Sequence, residues 1–319
     1  MRKAGSLQRS LDQAADITLA GAPFTRRSLE LELERSLGSR SEARWIVEEV
    51  LGPRGTGNTP SKPSVLQVSK VKRLTARRLS GEPLQYVLGH WQFRNLDLLV
   101  DSRALIPRPE TEEVVDAALR ELRSLVAPTA EPIAVDLGTG SGAIALSLAM
   151  ETMASSPSLR VLGTDVDASA LALAELNRDR LSTKRPDLVD RVRFLTGNWW
   201  GALSGVPGDL RGKVVLVVSN PPYVAPEEWV NLDATVKDYE PRQALVASPG
   251  DGGAPGMADV EKVLSGAREW LARPGSAVIE IAHNQGAAAA RVAKDLGAQD
   301  VLVEKDLAGR DRILTARWT

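Results

Sequence analysis

Ile133-Ala134-Val135-Asp136-Leu137-Gly138-Thr139-Gly140-Ser141-Gly142-Ala143 is the stretch on which the fold turns. Its first half is a short apolar run. Its second half sets three glycines at alternate positions ahead of an apolar, helix-forming segment, Ala143 to Met150. A strand that passes into a helix through so short a turn needs left-handed backbone, which glycine adopts without a steric penalty. Glycines also let backbone N–H groups approach a ligand at the helix start. By itself the turn is a weak signal. With Ala143 it also satisfies the dinucleotide pattern G-x-G-x-x-A, so nicotinamide chemistry stays open at this point.

Downstream the alternation continues. Val161 to Asp165, Val192 to Leu195 and Val214 to Val218 read as strands, and Ala168 to Arg180 as a helix. A helix closing at Trp270 precedes a strand from Ala277 to Ile281, Gly286 to Leu296 is helical, and Val301 and Ile313 mark two last strands. This rhythm predicts an α/β fold, a mostly parallel Rossmann-like sheet covered by helices on both faces. Ligands of such sheets sit beyond the carboxyl ends of the strands.

Upstream the pattern is helical over residues 6–51. Thr25 precedes Arg26 to Leu37, where Leu29, Leu33 and Leu37 recur every four residues and Gly38 ends the run. Ser41 to Leu51 puts Trp45, Ile46 and Val50 on one side. Gly52 to Ser64 reads as a loop, Val65 to Leu79 as a basic helix stopped at Ser80-Gly81-Glu82-Pro83, and Tyr86 to Leu105 as strand and hairpin. The expected organisation is a helical domain over residues 1–85, a hairpin linker over 86–105 and the α/β domain over 106–319.

The chain has 319 residues, 43% apolar and 25% charged, the balance of an ordinary two-domain globular protein. Cysteine is absent, which excludes disulfides, cysteine zinc sites, iron–sulfur clusters and a thiol nucleophile. The two histidines, His90 and His283, are far apart, so no metal centre is expected. Net charge is −1, yet residues 1–80 carry 15 basic against 8 acidic side chains and the remainder 25 against 33. That asymmetry suits an acidic partner, protein or RNA, and equally suits solvated helix faces. No stretch approaches the ~20 apolar residues of a membrane span, and the N-terminus lacks the apolar segment of a secretory signal. The expected location is the cytoplasm, with the mitochondrial matrix as the alternative if basic Arg2, Lys3, Arg9, Arg26 and Arg27 form a transit peptide. Asp12 and Asp16 argue against the latter.

The candidate site residues all fall at strand ends. Gly138, Thr139, Gly140, Ser141 and Gly142 form the turn. Asp165 closes the second strand, where a carboxylate can accept both hydroxyl hydrogens of an adenosine ribose. Asp167 reads as a helix cap. Asp136 separates the adenosine cofactors: it can pair with the amino group of a methionine moiety or orient the glycines, whereas beside a pyrophosphate it would be repulsive. The expected cofactor is therefore S-adenosylmethionine.

Asn220-Pro221-Pro222-Tyr223 follows the strand Val214 to Val218. Two prolines there stiffen the backbone and remove donors. The Asn220 side-chain oxygen and the Pro221 carbonyl become fixed acceptors for a planar NH2 group, Pro222 holds the corner, and Tyr223 offers a ring face. An amide or aromatic amine nitrogen is a poor nucleophile because its lone pair is delocalised. Gripping its hydrogens aims that lone pair at a sulfonium methyl, and orientation of this kind can supply about 7–11 kcal/mol of the barrier. Neither a strong base nor a metal is needed.

Through these residues the chain resembles the HemK/PrmC family, the protein-(glutamine N5) methyltransferases of peptide-chain release factors. The resemblance also rests on Leu105-Ile106-Pro107-Arg108-Pro109-Glu110-Thr111-Glu112, Gln85-Tyr86-Val87-Leu88-Gly89, Glu240-Pro241-Arg242-Gln243-Ala244-Leu245, Asp251-Gly252 and Gly309-Arg310-Asp311-Arg312. It implies a helical substrate-docking module, a hairpin linker and a seven-stranded methyltransferase domain. It implies that Gly138 to Gly142 and Asp165 hold S-adenosylmethionine and that Trp199 lies against the adenine. Asn220 would touch both cofactor and glutamine, while Pro221, Pro222 and Tyr223 frame the amide of a Gly-Gly-Gln loop. Arg108 and Glu110 would order the pocket mouth, or form a surface ion pair. Asn198 stands where the family usually has Asp, which implies weaker cofactor binding.

Three rival readings compete with this one. A nucleic-acid amine methyltransferase could use the same tetrad on an extruded adenine, but residues 81–319 are net acidic, so direct nucleic-acid binding is not expected. A non-catalytic scaffold would show a degraded turn or tetrad. A dehydrogenase leaves the tetrad without a purpose.

Overall fold

The structure, a computed structural model, describes residues 24–54, 62–125, 131–250 and 254–319. The helices read over residues 6–23, much of the loop before Ser64 and the pair Asp251-Gly252 lie outside the described residues. The chain divides into two compact units. The smaller holds the residues up to His90 together with Asp233–Tyr239, and the larger holds Trp91–Leu232 and Glu240–Thr319.

In the smaller unit, local signals place the helices. Thr25 caps α1 (Arg26–Leu37) by accepting from the Ser28 N–H, and Gly38 ends it at φ 69°. Ser39 caps α2 (Arg40–Leu51), and Ser64 with Gln67 forms a capping box on α3 (Val65–Leu79). Leu29, Leu33, Ile46, Val47 and Val71 make the core between them. Trp45, expected on one side of α2 with Ile46 and Val50, is 43% exposed. Ala43, Ile46, Val47 and Val50, at i, i+3, i+4 and i+7, already complete the stripe facing the core, and Trp45 lies off it. Tyr86 to Leu88, expected extended, instead completes a short helix, α4 (Leu84–Leu88), between Pro83 and the left-handed Gly89 at φ 82°. Its apolar spacing buries Leu84 and Val87 in the same core. Basic side chains of α3 are partly neutralised within the unit, Arg78 by Glu42 at 2.7 Å and Lys70 by Glu49 at 3.3 Å.

The larger unit begins at Trp91, within a two-stranded sheet of β1 (His90–Phe93) and β2 (Leu96–Leu99). Arg94, in the turn at φ 50°, donates to Glu151 and Asp116. The main sheet contains β3 (Ile133–Leu137), β4 (Arg160–Asp165), β5 (Val192–Thr196), β6 (Val214–Ser219), β7 (Leu271–Glu280), β8 (Asp300–Lys305) and β9 (Asp311–Trp318). Its order is β5-β4-β3-β6-β7-β9-β8, parallel from β5 to β7, with β9 antiparallel to both β7 and β8. This is the Rossmann-like seven-stranded fold expected.

Alternate strand residues feed two cores. Ala134, Val161, Leu216 and Val218 pack with α5 (Pro109–Ser124) and α6 (Ala143–Glu151). Helix α7 (Ala168–Ser182) follows β4. On the other core, Val135, Leu137 and Val217 pack with α8 (Ala258–Trp270) and α9 (Gly286–Asp295). Strand β7 starts at Leu271, earlier than the expected Ala277, because Leu271 and Ala272 are buried and a register shift against β6 absorbs Pro274-Gly275. Asn177 on α7 is fully buried; its Oδ1 accepts from the Leu99 N–H at 2.6 Å and its Nδ2 donates to the Leu99 and Ser141 carbonyls. Among the described residues no helix is long and apolar enough to cross a membrane.

The strand order reverses at β3, with β4 on one side and β6 on the other. Such a reversal opens a crevice at the strand carboxyl ends. The glycine turn follows β3, Asp165 ends β4, and Asn220 follows β6.

Candidate active site

The turn after β3 is built by its own backbone. Gly138 and Thr139 N–H groups donate to the Thr164 carbonyl at 2.9 and 2.8 Å, and Gly142 N–H closes onto the Thr139 carbonyl at 2.9 Å. Asp136 beneath it is fully buried and is not on the wall of the cavity. Its Oδ2 accepts from Thr139 Oγ1 at 2.6 Å and from the Ala145 N–H at 3.1 Å, which ties the turn to the start of α6. These bonds lie within the turn and the helix start, while Asp136 Oδ1 is buried without a hydrogen-bond partner among the described residues.

Burial pushes the Asp136 carboxyl up to about 7. Its folded pKa then exceeds the unfolded value, the native state binds more protons between the two, and stability falls as pH rises through that window. We predict that wild type, relative to Asp136→Asn, loses about 3 kcal/mol of stability between pH 5 and pH 8, as measured by urea unfolding of the cofactor-free proteins. Parallel pH profiles for the two would show that Asp136 does not titrate there.

Asp165 ties the glycine turn after β3 to the start of the loop after β4. One oxygen accepts from the Gly140 N–H and the other from the Asp167 N–H, each at 2.9 Å, and burial raises its pKa. Asp167 caps α7 by accepting from the Ser169 N–H. Trp199 follows β5 with the unusual positive φ of 47°, and a Cβ on Gly138 would stand 3.6 Å from its ring. Gly142 is off the cavity. It sits at φ 82°, where an added Cβ would stand only 3.1 Å from Leu146 and Phe194, and so serves the close packing of α6 on the sheet.

Asn220 and Pro222 line the cavity, whereas Pro221 and Tyr223 do not. The Asn220 Nδ2 donates to Thr111 Oγ1 at 3.1 Å, and Thr111 Oγ1 donates to Glu280 Oε2 at 2.7 Å. Tyr223, expected as a platform, directs its hydroxyl to Glu280 Oε1 at 3.2 Å. Burial raises the pKa of both Tyr223 and Glu280. Arg108 lines the mouth and pairs with buried Glu240 at 2.6 Å, and Glu240 also accepts from the Ile106 N–H at 3.1 Å. Glu110 is off the wall. Sequence reading missed the parts of Thr111, Glu240 and Glu280. The first two lie inside the motifs that carry the family resemblance. Glu280 had a signal of its own: a lone carboxylate within the apolar run Ala277-Val278-Ile279-Glu280-Ile281.

The cavity has a volume of about 290 Å³, at the small end for ligand sites. Gly138, Thr139, Gly140, Ser141, Asp165, Trp199 and Asn220 all border it, as does Asn198. The donor set fits S-adenosylmethionine. The oxygens of Asp165 keep lone pairs for a ribose diol, Trp199 and Val166 offer apolar surface for a purine, and a Cβ on Gly140 would meet only Ala104, at 3.8 Å. Among the described residues no group of three or more His, Cys, Asp or Glu could hold a metal ion.

Comparison with known proteins places the chain among methyltransferases. The family model for the methyltransferase small domain matches residues 111–236. A release factor glutamine methyltransferase of Bordetella pertussis is 37% identical over 244 residues, covering 75% of this chain and 80% of that one. Its counterpart from Salmonella typhimurium is 35% identical over 260 residues, covering 80% and 83%. That from Agrobacterium fabrum is 33% identical over 247 residues, covering 76% and 78%.

Proposed function

The chain belongs to the release factor glutamine methyltransferases, and on that premise we propose that it methylates a glutamine side-chain nitrogen in a peptide-chain release factor. The observation that best supports this reading is the Asn220 amide. One of its N–H groups donates to Thr111, which orients the amide with Oδ1 as the free acceptor end beside the glycine turn. S-adenosylmethionine, when bound, supplies an electrophilic methyl group on a sulfonium. Gly138 to Ser141, Asp165 and Trp199 would hold it.

Asn220 Oδ1 accepts a hydrogen of the incoming carboxamide, which restricts the direction of its nitrogen lone pair. The same oxygen favours the positive charge that develops on nitrogen as the new bond forms. An N-alkylated amide cation is a strong acid and releases its proton to water, so a dedicated base is unnecessary. Pro222 limits sideways motion of the amide.

The glutamine we assign is that of a Gly-Gly-Gln loop, because neighbours without side chains suit entry to a cavity of this size. Among the described residues, none of the helical unit borders the cavity, which leaves that unit for holding the protein substrate. The reading puts the reaction in the cytoplasm, where release factors work. Mass spectrometry of a release factor incubated with the enzyme and labelled cofactor should find one added methyl on the glutamine. Label on RNA or DNA, with the protein unmodified, would overturn the assignment.

A further inference from the structure

We infer that Thr111 and Glu280 are positioning residues that set which end of the Asn220 amide faces the cavity. This inference rests on the methyl-transfer reading above and deepens it.

A primary amide has a donor end and an acceptor end of nearly equal shape. Rotation about χ2 exchanges them. If the NH2 end of Asn220 faced the cavity, it would meet the NH2 of a carboxamide donor to donor, and the nitrogen would not be held. Something must therefore choose the end, and the chain of contacts leading away from Asn220 can do so.

Glu280 is 1% exposed and sits at the last residue of β7. As a carboxylate it has acceptors only, and two hydroxyls converge on it: Thr111 on Oε2 at 2.7 Å and Tyr223 on Oε1 at 3.2 Å. A threonine hydroxyl has one hydrogen. Once that hydrogen is given to Glu280, Thr111 can offer Asn220 nothing except a lone pair. Asn220 must then present Nδ2, as it does at 3.1 Å, and Oδ1 is left for the cavity. One acceptor-only group thus fixes the direction of three hydrogen bonds in a row.

The parts come from well-separated places. Thr111 lies in the first turn of α5, is 4% exposed, and is 169 residues from Glu280 and 109 from Asn220. A plain packing role would need a methyl and volume at position 111. The relay needs the hydroxyl, and that difference is measurable.

The test uses full-length protein with release factor and cofactor, comparing Thr111→Val, Thr111→Ser and wild type. Thr111→Val, equal in size but without the hydroxyl, should lower kcat about 10–50-fold, since small misplacements of reacting groups cost that much or more. Its cofactor Kd should stay within about twofold and its KM for release factor within about threefold, as expected when the lost interaction is made only in the transition state. Thr111→Ser, which restores the hydroxyl, should recover kcat to within about threefold of wild type.

Wild-type kcat in Thr111→Val, or equal losses in the valine and serine variants, would refute the relay. So would a loss confined to cofactor affinity. Should Thr111→Val fold poorly, Glu280→Gln gives a second reading. Glutamine brings a donor to the centre of the relay, so kcat should fall about tenfold at unchanged cofactor Kd; an unchanged kcat would count against it. Wild type failing to methylate release factor at all would instead defeat the functional reading, which is a separate outcome.

Discussion

Asn220→Ala should abolish methyl transfer, lowering kcat by about 10³-fold or more while largely sparing the fold. The residue is half-buried at the end of β6, and its polar contact in the structure is with Thr111. Truncation removes the one side-chain acceptor facing the cavity from that corner. Thr111 loses a neighbour, yet it keeps its bond to Glu280, so the cost to stability is about 1 kcal/mol. The loss should therefore appear in single-turnover rates at saturating cofactor, with melting temperature near wild type. A variant that methylates release factor at the wild-type rate would remove Asn220 from the mechanism.

Asp165→Ala should raise the cofactor dissociation constant by about 100-fold. Two effects add. The carboxylate is the group best placed to accept ribose hydroxyls, and it also holds the Gly140 and Asp167 N–H groups, so the turn loosens with it. Asp165→Asn, which retains one acceptor oxygen, should fall between wild type and alanine. Asn198→Asp should move the constant far less, because Asn198 is exposed at the rim and anchors nothing on the turn. Calorimetry that ranks Asn198→Asp above Asp165→Ala would reverse these roles.

What could be read from the sequence was what local chemistry decides. Thr25, Ser64 and Gly38 mark helix ends through their own caps, and the glycine turn and the Asn-Pro-Pro-Tyr corner are each encoded within a few residues. The sheet was legible because apolar runs alternating with helices allow few arrangements. Competition and distance hid the rest. Trp45 lost the inner face of α2 to smaller neighbours one position away, a contest among side chains that composition does not settle. Asp136 stands next to the glycines in sequence, and only the fold shows it fully buried and off the cavity wall. Glu280, Thr111 and Asn220 belong to three different elements, so no window of sequence contains their relation.

The segment from Val100 to Arg108 lies outside both sheets, and its residues Arg103 to Arg108 form one wall of the cavity. Its backbone is stapled at one end by the Asn177 amide and at the other by the Glu240 carboxylate, and neither side chain touches the space it shapes. Over long descent those two positions should be as closed to drift as any that meet a ligand. An engineer who wished to widen the mouth would do better to trim Leu105, which borders the cavity and is gripped by neither anchor, than to disturb the staples themselves.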